Sequence, residues 1–115
     1  MKRGEIYLVN LDPVVGREQS SRRPVLVVSL EEINRLPLVV TVVPGTDGKN
    51  VGKDFRWNVR VPSADSGLRL ETVFLCFQIR ALDKSRFTTA PIGNLPANWM
   101  EEIEAAMSCS LDIPK

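Results

Sequence analysis

Residues 4–29 read GEIYLVNLDPVVGREQSSRRPVLVVS, and this stretch decides the fold of the chain. Two apolar runs of strand length flank a polar loop, residues 14–23, and Pro24 follows the loop directly. Proline has no backbone N–H, so Pro24 is expected at the first position of a strand, where it also holds Arg23 extended. Arg23 is therefore predicted at a junction between loop and sheet. Its planar guanidinium suits a phosphate group there, although a surface salt bridge is the alternative.

Outward from this stretch, the chain continues as short apolar runs separated by turn signals. Further strands are predicted over residues 25–28, 38–43, 57–61 and 73–79, with turns at residues 12–13, 44–52 and 62–67. A closing helix is predicted after Pro96, with one apolar face made of Trp99, Ile103, Ala106, Met107 and Leu111. Shorter helices fit residues 31–35 or 84–87. The pattern predicts a mainly β chain, a small and strongly bent antiparallel sheet or barrel with a helix packed on it.

Length and charge limit the architecture and the class of function. A chain of 115 residues is expected to form a single domain, residues 1–115, with one modest core that a dimer interface would extend. The formal net charge is only +1, so the composition lacks the bulk basic signature of many nucleic-acid-binding proteins. Residues 1–60 carry ten Lys or Arg against seven Asp or Glu, which is compatible with a local basic groove.

The chain contains no His and only two cysteines, Cys76 and Cys109. It therefore lacks the commonest general base and the commonest metal ligand, and neither a metal site nor a cofactor is expected. Cys76 lies in an apolar run and is predicted to be a buried, reduced thiol, as in a cytoplasmic protein. No apolar run approaches the roughly 18 residues of a spanning helix, so no membrane association is expected.

Short motifs are spread in order along most of the chain. They are Gly4-Glu5-Ile6-Tyr7, Leu11-Asp12-Pro13, Gly16, Glu18-Gln19, Arg23-Pro24, Val43-Pro44-Gly45-Thr46, and QIRALDKSR over residues 78–86. With this order and spacing the chain resembles the MazF/PemK/Kid toxins of bacterial toxin–antitoxin systems. The resemblance implies an SH3-like antiparallel β-barrel of the CcdB type with a C-terminal α-helix, assembled as a homodimer.

The same resemblance implies a chemistry. It implies metal-independent cleavage of single-stranded RNA by attack of the substrate's own 2′-hydroxyl, which leaves 2′,3′-cyclic phosphate and 5′-hydroxyl ends. Arg23 and Thr46 fall on the two positions that carry catalysis in the family. Thr46 is expected to open a Gly-rich loop, residues 45–48, that presents donors to an anion. The alternative is an ordinary turn threonine that hydrogen-bonds to its own backbone. Glu18 would orient Arg23 or act as a base, and it also fits a solvated loop carboxylate.

Donor-rich side chains around these positions are candidate contacts to single-stranded RNA. They are Gln19, Ser20, Ser21 and Arg22 on the loop, Lys53 and Arg56 beside Trp57, and Gln78 in the last apolar run. Gln78 also fits a contact with the partner subunit, and the others also fit solvated loops. The expected inhibitor is a cognate antitoxin whose acidic, initially disordered segment lies in the groove near Arg23.

The last apolar run departs from part of this family. Where the Kid-like branch has an Arg and an acidic residue with assigned acid–base roles, this chain has Leu75 and Phe77. Neither side chain transfers a proton, so that mechanism does not carry over. Phe77 is predicted to pack in the core, with base stacking as the alternative. Two other functions stay open. One is a gyrase-poisoning toxin like CcdB, whose Trp-Gly-Ile ending does not appear in residues 111–115, and the other is a non-catalytic binding barrel.

Overall fold

The computed structural model describes residues 1–12, 16 and 21–114, so Glu18, Gln19 and Ser20 of the predicted site lie outside the described residues. The strands are β1 Glu5–Asn10, β2 Arg22–Val27, β3 Val39–Asp47, β4 Asn58–Val61, β5 Thr72–Leu75, β6 Arg80–Asp83 and β7 Gly93–Asn94. The helices are α1 Glu31–Asn34, α2 Ser63–Ser66 and α3 Ala97–Ser110, and 3₁₀ turns cover Gly48–Asn50, Cys76–Gln78 and Lys84–Arg86.

The strands of the described residues form one antiparallel sheet in the order β4-β5-β3-β2-β1-β7, with β6 paired to another part of β3. Strand β3 makes the sheet curl, because one of its edges has two successive partners. Its first part pairs with β6, through Val42↔Arg80, and its last part pairs with β5, through Gly45↔Phe74. Pro44 lies between these two ladders. Because proline has no backbone N–H, it cannot donate a hydrogen bond that would extend either one. The predicted architecture, a bent antiparallel sheet with a C-terminal helix, is confirmed.

The close contact between β3 and β5 depends on Gly45. A Cβ atom on this residue would lie 2.7 Å from Cγ2 of Thr72 and 3.2 Å from the Phe74 ring. Glycine at this position leaves the space that these two side chains of β5 occupy against β3. The chain was predicted to leave the sheet at residue 44 and to form a Gly-rich loop over residues 45–48. That prediction is wrong, because pairing with β5 extends β3 through Asp47.

Buried side chains lie on both faces of the central strands, as the continuous apolar run after Glu5 predicts. One cluster packs against α3 and comprises Ile6, Leu26, Val28, Val43, Val59, Val61, Phe74, Cys76, Leu95, Met100, Ile103 and Ala106. The other cluster, on the opposite face, comprises Tyr7, Val9, Leu11, Val25, Val27, Val40, Val42 and Leu82, with Phe87 packed against it. Successive strand residues point to opposite faces, so each strand contributes to both clusters.

Helix α3 begins at Ala97, directly after Pro96, which occupies the N-cap position. Its buried residues are Met100, Ile103 and Ala106, while Trp99 and Met107 are half-buried. Leu111 was predicted on this face but lies beyond the end of the helix, where it is exposed. No helix among the described residues has both the length and the apolar character needed to cross a bilayer.

The last apolar run, residues 73–79, does not form the single strand that its composition predicts. Strand β5 ends at Leu75, and the 3₁₀ turn Cys76–Gln78 follows. The turn replaces the two-residue alternation of a strand. Cys76 is therefore fully buried, as predicted, whereas Phe77 is 51% exposed. The prediction that Phe77 packs in the core is wrong for this reason.

Candidate functional site

Arg23 is the second residue of β2 and pairs with Val9 of β1, so the predicted junction between loop and sheet is confirmed. Pro24 is the third residue of the strand and not its first. It is tolerated there because pairing of β2 with β3 starts only at Val25, so Pro24 lies outside that ladder. At the base of the preceding loop, Ser21 has a left-handed backbone, with φ 64°, and its N–H donates to Oδ1 of Asp12 at 3.0 Å.

Thr46 lies on β3 opposite Val73 of β5 and is only 4% exposed. Its hydroxyl oxygen accepts a hydrogen bond from Nδ2 of Asn50, at 3.2 Å. An oxygen that accepts from Asn50 still has its own proton to donate. The arrangement therefore orients the Thr46 hydroxyl as a donor. Asn50 was missed by sequence reasoning, and a polar side chain four residues after Thr46 was the only signal for it.

The sheet register relates Arg23 to Thr46. The β2–β3 ladder pairs Val25 with Pro44, and two further residues along each strand bring Arg23 level with Thr46. Because side chains alternate along a strand, both residues share the face of Val25 and Val42. The fold thus brings Arg23 and Thr46, which are 23 positions apart in the sequence, to one end of the sheet.

Two grooves flank this end of β3. The first, here called the arginine groove, has a volume of about 460 Å³ and is lined by Leu8, Arg22, Arg23, Pro24, Asp47, Gly67, Leu68, Arg69, Leu70, Thr72 and Ile92. The second, the threonine groove, has a volume of about 290 Å³ and is lined by Thr46, Asn50, Val51, Phe55, Trp57, Asn58, Leu75, Phe77 and Gln78. The predicted site residues are therefore divided between two neighbouring depressions.

The remaining predicted RNA contacts occupy different surroundings. Gln78 lines the threonine groove together with Thr46. Lys53 and Arg56 are exposed and are not among the lining residues of either groove, although Nζ of Lys53 lies 5.3 Å from the centre of the Phe55 ring. Asn58 carries the single buried side-chain oxygen or nitrogen atom of the described residues that lacks a hydrogen-bond partner, its Oδ1.

Arg60 holds the segment between Thr46 and the aromatic residues in place, and sequence reasoning missed it. Its guanidinium lies 2.8 Å from a carboxylate oxygen of Asp54 and 2.8 Å from one of Glu71. It also donates to the carbonyl oxygens of Gly48, at 3.0 Å, and Val51, at 2.6 Å. The two carboxylates raise the pKa of Arg60. One rigid fork thus ties β4, the residue before β5 and residues 48–54 together.

We expect Arg60→Lys to lower the activity of the site while the fold is retained. A single ammonium cannot replace a planar fork with this many acceptors, so Asn50 would be held less firmly against Thr46. Misplacement of about 1 Å costs up to roughly 10²-fold in rate, so RNA cleavage should fall by about tenfold or more. Single-turnover rates of Arg60→Lys and of Arg35→Lys, at an exposed arginine elsewhere, would be compared. Equal rates would show that the Arg60 network does not position the site.

Cys76 is a fully buried thiol and not a ready nucleophile. Burial raises the pKa of the Cys76 thiol to about 12, so this sulfur stays protonated at neutral pH. Among the described residues, no three His, Cys, Asp or Glu side chains are grouped so that they would hold a metal ion. The side chains that line the two grooves include guanidinium, hydroxyl and amide groups.

The chain is similar to proteins of one family. A family model described as "PemK-like, MazF-like toxin of type II toxin-antitoxin system" matches residues 2–111. The "Endoribonuclease PemK" of Escherichia coli is 35% identical over 111 residues, which cover 96% of this chain and 82% of that protein. The crystal structure of MazF from Deinococcus radiodurans has a TM-score of 0.81 and 25% identity, covering 97% of this chain and 96% of the other. A "MazE-MazF" structure from the same organism has a TM-score of 0.76 and 26% identity, covering 99% and 97%.

Proposed function

Because the chain belongs to the PemK-like, MazF-like toxins of type II toxin–antitoxin systems, we propose that it is a sequence-selective endoribonuclease toxin of the cytoplasm. Its substrate is single-stranded RNA, and its activity needs no metal ion. The observation that carries the proposal is the register of β2 and β3, which brings Arg23 and Thr46 to the same level on one face of the sheet. These are the two residues that the family resemblance marks as catalytic.

The reaction we propose is attack of a ribose 2′-oxygen on the adjacent phosphorus. The bond from phosphorus to the 5′-oxygen of the next nucleotide breaks, which gives a 2′,3′-cyclic phosphate and a 5′-hydroxyl. The nucleophile comes from the substrate, so the protein must align the three reacting atoms and stabilise negative charge on the phosphorane. Arg23 supplies positive charge for the phosphate oxygens and a proton for the leaving oxygen. The Thr46 hydroxyl, oriented by Asn50, donates to a phosphate oxygen.

The 2′-hydroxyl must lose its proton as it attacks, and Glu18 is the proposed base or orienting group. The chain offers no His for this task. Leu75 and Phe77 line the threonine groove at the positions of the Kid-like Arg and acid, and neither moves a proton. We propose Gln19, Ser20, Ser21, Arg22, Lys53, Arg56 and Gln78 as contacts to the RNA backbone and base edges.

The experiment that tests this function is cleavage of a long RNA by the purified protein in excess EDTA, with the new ends mapped by sequencing. Fresh 5′-hydroxyl ends at a recurring short sequence are expected. Inhibition by EDTA that added Mg²⁺ reverses would contradict the metal-independent mechanism. Intact RNA with trapped gyrase–DNA complexes would indicate a gyrase-poisoning toxin, and intact RNA without them would indicate a non-catalytic binding barrel.

The arginine groove supports an antitoxin as a partner. Its floor is apolar, with Leu8, Leu68 and Ile92, and Arg22, Arg23 and Arg69 also line it. This combination suits an acidic segment with apolar side chains that folds on binding. The similar structure from Deinococcus radiodurans contains MazE together with MazF. An antitoxin segment in this groove would cover Arg23 and thereby exclude RNA.

Reversal of charge at Arg69 is expected to weaken antitoxin binding. Arg69 is exposed and lines the groove, so Arg69→Glu places a negative charge where the acidic segment lies. Juxtaposed like charges cost several kcal/mol, so the dissociation constant should rise by at least about tenfold. Calorimetric titration with the cognate antitoxin would measure it, with Lys2→Glu as the control at an exposed cation outside both grooves. An unchanged constant for Arg69→Glu would remove the arginine groove from the antitoxin interface.

We also propose a symmetric homodimer. Leu30, Ile33, Leu36, Leu38 and Val39 form a run of exposed apolar side chains around α1 and the start of β3, with Leu38 61% exposed. Apolar side chains exposed in such a group mark interaction surfaces. Light scattering at micromolar concentration should report a dimer, and Leu38→Glu should shift it toward monomer, whereas Leu70→Glu should not. A monomeric wild-type protein would contradict the dimer, and a dimeric Leu38→Glu variant would exclude this surface as its interface.

A further inference from the structure

Aromatic side chains that stay partly exposed line the threonine groove. The Phe55 and Trp57 rings stack with centroids 4.7 Å apart and planes inclined by 13°. Phe55 is nevertheless 39% exposed, and both rings line the groove that contains Thr46. Nζ of Lys53 lies 5.3 Å from the Phe55 centroid, which adds positive charge beside the aromatic pair. A preformed aromatic pair thus lines the groove, with the Lys53 ammonium over the Phe55 ring.

Phe77 contributes a third ring to the same groove from a separate segment. It belongs to the 3₁₀ turn Cys76–Gln78, and 51% of its surface is exposed. The next residue, Gln78, lines the groove as well and offers both a donor and an acceptor. The groove therefore combines flat apolar walls from two parts of the chain with amide groups and the Thr46 hydroxyl.

We propose that the threonine groove is a nucleobase subsite, in which one unstacked base of single-stranded RNA lies against Phe55, Trp57 and Phe77. The proposal rests on the proposed ribonuclease function and specifies how that site holds its substrate. The base belongs to a nucleotide next to the phosphate held by Thr46. Aromatic side chains bind bases of single strands by stacking, and amide side chains then contact their edges.

The chemistry of the groove favours a base over an apolar peptide side chain. An aliphatic side chain would use the rings but leave Lys53 and Gln78 without a role. A nucleotide uses both, because its phosphate attracts the ammonium and its base edge bonds to the amide. Phe77 thus has a binding role at the position where the Kid-like branch has an acid.

Binding without cleavage isolates this subsite from the chemistry. The chain has two tryptophans, so Trp99→Phe leaves Trp57, next to Phe55, as the single tryptophan, which is excited selectively at 295 nm or above. The probes are 2′-O-methylated hexamers of adenosine, cytidine and uridine, whose blocked 2′-oxygens cannot attack. A hexamer of the same sugar–phosphate backbone without bases is the control for charge. The base-containing hexamers should quench Trp57, and the abasic hexamer should not.

Substitutions in the Trp99→Phe background then separate the contribution of aromatic stacking to binding from that of apolar contact in general. Phe77→Leu and Phe55→Leu keep apolar volume but lose the aromatic face, and each should weaken hexamer binding by about tenfold. Phe77→Tyr should restore most of the affinity. Ile113→Ala, at an exposed apolar residue outside both grooves, should leave binding unchanged.

The outcomes separate the subsite from the proposed function. Equal quenching by the abasic hexamer, or unchanged affinity in both Leu variants, would overturn the subsite even if the wild-type protein cleaves RNA. Base-dependent quenching that both Leu variants lose would support the subsite even if no cleavage is found. Leu variants that lose affinity for the antitoxin and keep it for the hexamers would overturn the proposal and identify a peptide site.

Discussion

Arg23→Ala is expected to lower the rate of RNA cleavage by about 10²–10³-fold, the effect of removing one preorganised group that stabilises transition-state charge. Arg23 lies on β2, level with Thr46, and its guanidinium is the charge that we assign to the phosphorane. The loss should appear in kcat, because the charge develops as the 2′-oxygen attacks. Single-turnover cleavage of a fluorescent RNA containing the mapped site would measure it.

Two further variants test the assignment of Arg23. Arg23→Lys should also lose most of the activity, because an ammonium cannot replace a fork that bonds to two phosphate oxygens. Arg22→Ala serves as the matched control, because Arg22 is the neighbouring arginine on β2 and is assigned to RNA binding, not to the phosphorane. It should raise KM more than it lowers kcat. Thermal unfolding would confirm that each variant is folded. If Arg23→Ala retains more than a tenth of the wild-type rate, Arg23 is not catalytic.

Thr46→Val should lose cleavage activity, whereas Thr46→Ser should keep most of it. Valine matches threonine in shape and suits a buried position on β3, so the fold is expected to tolerate it. The change removes the hydroxyl that we assign to the phosphate, and with it the hydrogen bond from Asn50. Loss of that bond alone costs about 1 kcal/mol of stability, which chemical denaturation would measure separately.

The comparison of Val with Ser isolates the hydroxyl from the methyl group of Thr46. Rates that are equal in the two variants would show that the hydroxyl is dispensable. Asn50→Ala adds a second test, because it leaves the Thr46 hydroxyl in place and removes the side chain that orients it. Its rate should lie between those of Thr46→Ser and Thr46→Val. A rate equal to that of the wild type would show that Asn50 does not orient the hydroxyl for catalysis.

The sequence by itself determined the class of the fold and the place of Arg23, because both follow from local properties of the chain. Apolar runs of strand length predict strands wherever they occur, and α3 follows from helical spacing after Pro96. Arg23 stands beside Pro24 after a polar loop, so its position at the start of β2 is set by neighbours in the sequence. Burial of Cys76 follows in the same way from the apolar residues around it.

The surroundings of Thr46 were decided only by the tertiary structure. A Gly-Thr-Asp-Gly sequence has the local propensity of a loop. Strand β5 contributes the hydrogen bonds and contacts that keep these residues in β3, and Gly45 leaves room for its Thr72 and Phe74 side chains. Their partners lie more than 20 residues away, and no local pattern encodes which distant strand pairs with which.

The aromatic groove and the Arg60 network depend on long-range contacts for the same reason. A continuous apolar run predicted a buried Phe77, but the 3₁₀ turn after β5 points its ring to solvent, where Phe55 and Trp57 line the same groove. In the sequence, Arg60 is one polar residue of an alternating strand. Only the fold brings Asp54 and Glu71 to its guanidinium. Side-chain period and composition determine which residues can form strands, whereas register and strand order determine which side chains meet.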